Sequence, residues 1–166
     1  TRGALLTGTY PIRLRLQCGV VRPWAEHGLP LAEHTLPQAL AEVGYATAMV
    51  GKWHLGHVQP AYLPTRRGFD QQYGHYNGAL DYFTHIRDGG HDWHRDDKPN
   101  YDKGYSTNLI GEHAARIISE HDPAKPLFLY VPFNAPHTPL QAPQKYIDSY
   151  AKIPNQKRRT FAAMVT

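Results

Sequence analysis

The segment Gly51-Lys52-Trp53-His54-Leu55-Gly56 sets an ammonium and an imidazole two residues apart between glycines, directly after the apolar run Tyr45 to Val50. In an extended segment residues i and i+2 point to the same side. Lys52 and His54 are therefore expected to share one face, with Trp53 turned into the packed side. Both groups donate charge-assisted hydrogen bonds, and a strand that ends in such a pair suits an oxyanion. A surface lysine and a satisfied histidine at a strand end account for this hexapeptide equally well. A second histidine-bearing loop, Asn134-Ala135-Pro136-His137-Thr138-Pro139, follows the apolar run Pro126 to Val131. Its prolines lower the entropic cost of holding His137 in place, although a Pro-bracketed histidine also fits a rigid surface turn.

Those loops need elements to carry them. Arg2 to Thr7 reads as a short helical turn ending at Gly8, and a polar, Pro-containing stretch runs from Tyr10 to His34. Thr35-Leu36-Pro37-Gln38 fits a capping box, with Thr35 as N-cap, Gln38 at the third helical position and Pro37 in the tolerated first turn. Leu36, Leu40 and Val43 follow at helical spacing, and Gly44 is the expected stop. The next strand is Tyr45 to Val50. Gly56 to Pro99 reads as loop-rich, with turn signals at Arg67-Gly68, Asn77-Gly78 and Asp88-Gly89-Gly90. A second helix is expected from Ser106 to His121, its stripe formed by Ile110, Ala114, Ile117 and Ile118 and its stop by Pro123. Pro126 to Val131 has the length and continuous apolar character of a strand buried on both faces. Two helix-then-strand units argue for an α/β layered domain with a mainly parallel sheet. Ligands of open α/β sheets bind outside the carboxyl ends of the strands, where Lys52, His54 and His137 would meet.

The chain has 166 residues, 41% hydrophobic and 19% charged, which are globular values and enough for one domain. No apolar run approaches the ~20 residues of a membrane-spanning helix. The net charge of +4 suits acidic partners. Its cations are spread along the chain except at Lys157-Arg158-Arg159, which reads as a solvated helix start, so nucleic acid is not the expected partner. The single cysteine, Cys18, excludes an intramolecular disulfide and a cysteine metal site.

Taken in order, Thr1-Arg2-Gly3-Ala4-Leu5-Leu6-Thr7-Gly8, Gly51 to Gly56, Pro64-Thr65-Arg66-Arg67-Gly68-Phe69-Asp70 and Ala135-Pro136-His137-Thr138-Pro139-Leu140 resemble the type I sulfatase family, most closely its arylsulfatase B (N-acetylgalactosamine 4-sulfatase) branch. The resemblance covers nearly the whole chain. It implies an alkaline-phosphatase-like layered domain with a mainly parallel central sheet and helices on both faces. It also implies hydrolysis of an aryl or carbohydrate sulfate ester through a formylglycine, made from a cysteine by a maturation enzyme. Thr1 and Arg2 match the Ser and Arg of the family's Cys-x-Pro-Ser-Arg signature. The modified cysteine is therefore expected three residues before Thr1, and Cys18, which lacks the following Pro and Arg, is no substitute. Residues 1–166 are expected to be an internal fragment of a single catalytic domain, without its calcium ligands, without a late substrate-binding lysine and without turnover of its own. By resemblance, Arg2 stabilises the nucleophile's oxygens, Lys52 bridges nucleophile and sulfate, His54 is the base that regenerates the aldehyde, and His137 donates to the sulfate or the leaving oxygen. Relatives of this kind are lysosomal, secreted or periplasmic.

Other residues read as structural. Arg66 and Arg67 beside Gly68 and Asp70 fit turn pairs better than sugar contacts. His91 and His94 have a metal-like spacing but no helix and no strong fourth ligand. Tyr73, Tyr76, Tyr82 and Trp93 fit packing better than sugar stacking, and the loop around residues 85–104 is a candidate for shaping substrate choice. Two rivals stand beside the sulfatase reading: a phosphonate or phosphate ester hydrolase of the same superfamily, and a non-catalytic polyanion-binding homologue.

Overall fold

The computed structural model describes residues 1–17 and 19–166. In chain order its elements are α1 (Arg2–Thr7), α2 (Leu36–Glu42), β1 (Ala46–Lys52), β2 (Gln71–His75), β3 (Ile86–Arg87), β4 (Gly90–His91), β5 (His94–Arg95), β6 (Lys98–Pro99), α3 (Ser106–Glu120), β7 (Leu127–Tyr130), α4 (Gln144–Asp148) and α5 (Gln156–Val165). The main sheet has the order β6-β5-β2-β1-β7. β1 is parallel to both β2 and β7, while β5 and β6 add an antiparallel edge. The sheet is thus mixed, with the parallel core that the two helix-strand units predict.

Alternation along β1 sends its side chains to two cores. Met49, and Trp53 just past the strand, pack with Leu6 of α1, Leu14, Leu29 and Phe69 on one face. Ala48 and Val50 pack with Ile110, Ala114 and Ile117 of α3 on the other. Helices therefore cover both faces. At ~25 cal/mol per Å² of apolar surface, residues such as Trp53 and Ile110, both wholly buried, are large terms in holding the sheet.

Local chemistry sets the helix ends. Gly8 closes α1 in the left-handed region, at φ 66°. The capping box forms in full, with the Thr35 side chain accepting from the Gln38 N–H and the Gln38 side chain accepting from the Thr35 N–H. The Thr35 hydroxyl also donates to the Arg67 carbonyl at 2.8 Å, which ties α2 to the turn before β2. Arg67 is itself structural, donating to the carbonyls of Leu31, Pro30 and Glu33. Asn155 caps α5 through the Arg158 N–H, so Lys157 and Arg158 do lie at an exposed helix start.

Four expectations need correction. Leu36 and Val43 are exposed rather than core-facing, because α2 docks through Pro37 and its cap. Ile118 also points outward, at 62% exposure, leaving Ile110, Ala114 and Ile117 as the packed stripe. β7 is an edge strand and only half-buried, not covered on both faces. Finally, the segment read as loop contains a central strand, β2, whose sequence Gln-Gln-Tyr-Gly-His shows no apolar period. Its burial rests on polar partners instead: the Gln72 N–H donates to Asp96 and the Tyr73 hydroxyl to Asp102. Tyr73, Tyr76, Tyr82 and Trp93 are core residues, as read from the sequence.

Candidate active site

The carboxyl ends of β1, β2 and β7 lie side by side, and each runs into a polar loop. Close approach there depends on glycine. Gly51 and Gly74 are partners in the β1–β2 register, with φ of 133° and 132°. A Cβ on Gly51 would come 2.3 Å from the Pro132 carbonyl oxygen, and one on Gly74 2.3 Å from the Gly51 oxygen. No side chain fits in that row, so the three strand ends draw together just where Lys52 begins.

Lys52 is the last residue of β1 and only 5% exposed. Its ammonium donates to the Gly78 carbonyl in the loop after β2. Burial first, then the nearby guanidinium groups of Arg2 and Arg87, lower its pKa to about 8. His54 does not continue the extended alternation expected of it, since its φ is 58°, in the left-handed region. This conformation costs free energy in a non-glycine residue. It is held by the Trp53 N–H donating to the His75 carbonyl and the His54 N–H donating to the Tyr76 carbonyl, both at 2.9 Å. Trp53 anchors the turn from inside, its indole N–H shared between the carbonyls of Gly56 and Tyr62.

The two side chains still converge, by way of Gly78 rather than by strand alternation. The His54 ring lies so close to Gly78 that a Cβ there would sit 2.4 Å from Cε1. Its Nε2 donates to the Val21 carbonyl at 3.1 Å, which leaves Nδ1 as the proton acceptor of the neutral ring. Burial, then the Lys52 charge, bring its pKa down to about 4, with smaller lowering effects from Arg2 and His137. His54 is therefore a neutral base over the ordinary pH range.

Arg2, at the start of α1, lines a cleft of about 200 Å³ with Thr1, Val21 and His54. Its Nε is buried and has no hydrogen-bond partner among the described residues. His137 lines a second cleft of about 220 Å³ with His54, Gly78, Arg22 and Arg87. The Nδ1 of His137 donates to the Thr138 carbonyl at 2.7 Å, and the Tyr82 hydroxyl fixes the loop by donating to the His137 carbonyl at 2.8 Å. Arg2, Lys52, His54 and His137 are thus gathered around one edge of the sheet, with His54 between the two clefts.

Several contributors were not visible in the sequence as site residues. Gly78 was legible only as half of an Asn-Gly turn. Arg87 stood in a polar stretch without a distinguishing pattern. His75, the register partner of Lys52, is wholly buried with neither ring nitrogen hydrogen-bonded among the described residues. Burial is the main reason that its pKa falls to about 3, with Lys52 and Arg2 adding to the shift and Asp92 opposing it. Asp92, which read as a loop carboxylate, is buried and accepts from the N–H groups of Tyr76 and Asn77 at 2.9 and 2.8 Å.

The two charges that act most on Lys52 are both cationic, so the edge carries positive potential, which an anion would relieve. The unpartnered Arg2 Nε fits an anionic oxygen. Among the described residues no group of three or more His, Cys, Asp or Glu side chains is placed to hold a metal ion. His91 instead pairs through Nε2 with the Asn100 carbonyl. Cys18, and with it the expectation that it is no substitute nucleophile, lies outside the described residues.

The model of the Sulfatase family matches residues 1–166. The chain belongs to the sulfatase family. It is 45% identical to arylsulfatase J of Mus musculus over 174 residues, covering 100% of this chain and 29% of that protein. It is 46% identical to arylsulfatase A of Homo sapiens over 76 residues, covering 45% of this chain and 15% of that protein. Among solved structures, Ps i-CgsB in complex with k-i-k-neocarrahexaose superposes with a TM-score of 0.91 at 30% identity, covering 99% of this chain and 40% of that one. The fold is therefore the alkaline-phosphatase-like fold of sulfatases. The relatives it resembles include arylsulfatases J, A and G, and they do not single out the arylsulfatase B branch. The chain spans about 29% of the length of arylsulfatase J. No helix among the described residues is long and apolar enough to cross a membrane.

Proposed function

We propose that residues 1–166 form the anion-gripping segment of a sulfuric ester hydrolase, a single catalytic domain that cleaves aryl or carbohydrate sulfate esters. The observation that carries this reading is the gathering of Arg2, Lys52, His54 and His137 at one sheet edge, where the charges acting most on Lys52 are cationic. A formylglycine supplies the oxygen nucleophile in this family's chemistry. This chain's own residues supply what the transferring group needs. A sulfuryl group in transfer spreads negative charge over its oxygens, and fixed donors in a dry cleft stabilise that charge. Arg2, through its guanidinium, and Lys52, through its ammonium, hold and orient those oxygens. His54, neutral and with no hydrogen bond to Nδ1 among the described residues, would serve at Nδ1 as the base when the nucleophile is regenerated. His137, with Nδ1 committed to Thr138, directs Nε2 to the sulfate or to the leaving alcohol.

The family match favours sulfate over the rival phosphonate and phosphate esters. A carbohydrate ester fits the oligosaccharide named in the Ps i-CgsB complex. By family resemblance the whole protein would hold calcium through residues outside this chain, receive its formylglycine from a formylglycine-generating or equivalent enzyme, and work in a lysosomal, secreted or periplasmic setting. The test is hydrolysis of 4-methylumbelliferyl sulfate and of sulfated oligosaccharides by the whole protein. Wild type should turn over, Lys52→Ala and His54→Ala should each lose ~10²- to 10³-fold in kcat, and residues 1–166 alone should be inactive. Turnover of phosphonate esters with none of sulfate esters would refute the reading.

A further inference from the structure

The cleft beside His137 is larger than one sulfate needs. At ~30 Å³ per water, its volume of about 220 Å³ holds roughly seven waters, whereas a sulfate group has five heavy atoms. Two of its lining residues, Arg22 and Arg87, are given no direct contact with the cleaved sulfate in the reading above. Arg22 is exposed at the rim. Arg87 belongs to the β3–β4 hairpin, whose two-residue turn Asp88-Gly89 has φ of 48° and 83°, the positive pair that a type I′ turn requires.

This hairpin is fixed rather than floppy. The Asp92 N–H beyond β4 donates to the His85 carbonyl, and the Asp81 N–H donates to the Ile86 carbonyl. The Asp92 carboxylate in turn holds the N–H groups of Tyr76 and Asn77, so the hairpin is pinned to the loop whose Gly78 meets Lys52 and His54. Arg87 lies near enough for its charge to depress Lys52. Its Nε sits 3.1 Å from the Asp88 carboxylate, but its guanidinium donates no aligned hydrogen bond among the described residues. A planar guanidinium with unused donors, on a fixed hairpin at the mouth of an anion site, is suited to bidentate recognition of a carboxylate or sulfate.

We propose that Arg87 is a specificity-determining residue that binds a second anionic group of the substrate, a sulfate or a uronate carboxylate next to the sulfate that is cleaved. The preferred substrate class is then the multiply charged oligosaccharide rather than the simple aryl sulfate. The inference rests on the sulfatase reading.

The experiment compares kcat/KM of the whole protein on three probes: a monosulfated neutral disaccharide, its disulfated counterpart, and a monosulfated disaccharide containing a uronate. Wild type and Arg87→Ala are measured on each, with melting temperatures to exclude misfolding. Removing Arg87 also relieves repulsion on Lys52, but that acts on all three probes and cancels in ratios. Wild type should prefer one of the doubly charged probes by about tenfold or more, which identifies the second anion. Arg87→Ala should collapse that preference at least fivefold, and Arg87→Lys should restore part of it. An unchanged preference in Arg87→Ala, or equal rates of wild type on all three probes, overturns the proposal while leaving the sulfatase reading intact. No turnover of any sulfate ester by wild type overturns both.

Discussion

Gly78 gives the sharpest test of where His54 sits. Replacing it by alanine adds a Cβ 2.4 Å from His54 Cε1, 2.6 Å from Nε2 and 2.9 Å from Nδ1. Ordinary contact starts at 3.4 Å, so ring or loop must shift by about 1 Å (3.4 minus 2.4). The ring has little freedom to yield, being held by the Val21 carbonyl at Nε2 and by a left-handed backbone. Misplacing a reacting group by about 1 Å costs ~10²-fold in rate. Overpacking of this kind costs ~1–3 kcal/mol in stability. The Lys52 ammonium donates to the Gly78 main-chain carbonyl, an acceptor that the substitution does not remove. The loss should therefore appear mainly in kcat, about 100-fold on an aryl sulfate, with KM changed far less. Gly111 provides the control. It lies within α3, and a Cβ there meets nothing within 4 Å. Gly111→Ala should leave kcat unchanged and add ~0.5–1 kcal/mol of stability. A Gly78→Ala protein whose kcat stays within threefold of wild type would refute the placement of His54 against this loop and the base role built on it.

The pH dependence of the whole protein should be a plateau bounded by two ionisations, one read in kcat and one in kcat/KM. His54 must be neutral for the later proton transfer, so kcat falls as pH drops through about 4; Lys52 must be charged to grip the sulfate, so kcat/KM falls as pH rises through about 8. An acid limb near the ordinary histidine value of 6.5 would contradict the desolvated setting of His54. Away from the site, Thr35→Ala removes a helix cap and the hydroxyl bond to the Arg67 carbonyl. The urea midpoint should fall by the equivalent of ~1–2 kcal/mol with m unchanged, and kcat should be retained.

What was legible in the sequence is what near neighbours decide. The α2 cap is closed between Thr35 and Gln38, and the Asp88-Gly89 turn is decided by two residues. β1 is marked by an apolar run between glycines. β2 is invisible because its partners are remote carboxylates: Asp96 for the Gln72 N–H and Asp102 for the Tyr73 hydroxyl. The site shows the same division. Lys52, His54 and His137 were identifiable as residue types at the ends of strands, but what makes them a site is long-range. The Lys52 ammonium meets a carbonyl 26 residues on, His54 Nε2 one 33 residues back, and the His137 carbonyl a hydroxyl 55 residues earlier. These contacts help fix orientation, and they accompany the burial that leaves one histidine neutral and one lysine close to losing its proton. Spacing along the chain offers no substitute for them. The alternation rule placed His54 on the Lys52 side for the wrong reason: the backbone turns into the left-handed region, and it is Gly78, lacking a Cβ, that gives the ring its place. A candidate site inferred from sequence is thus a list of chemical capacities, and Gly78 and Arg87, which carry little or no motif of their own, show how much of its working geometry lies in residues that such a list omits.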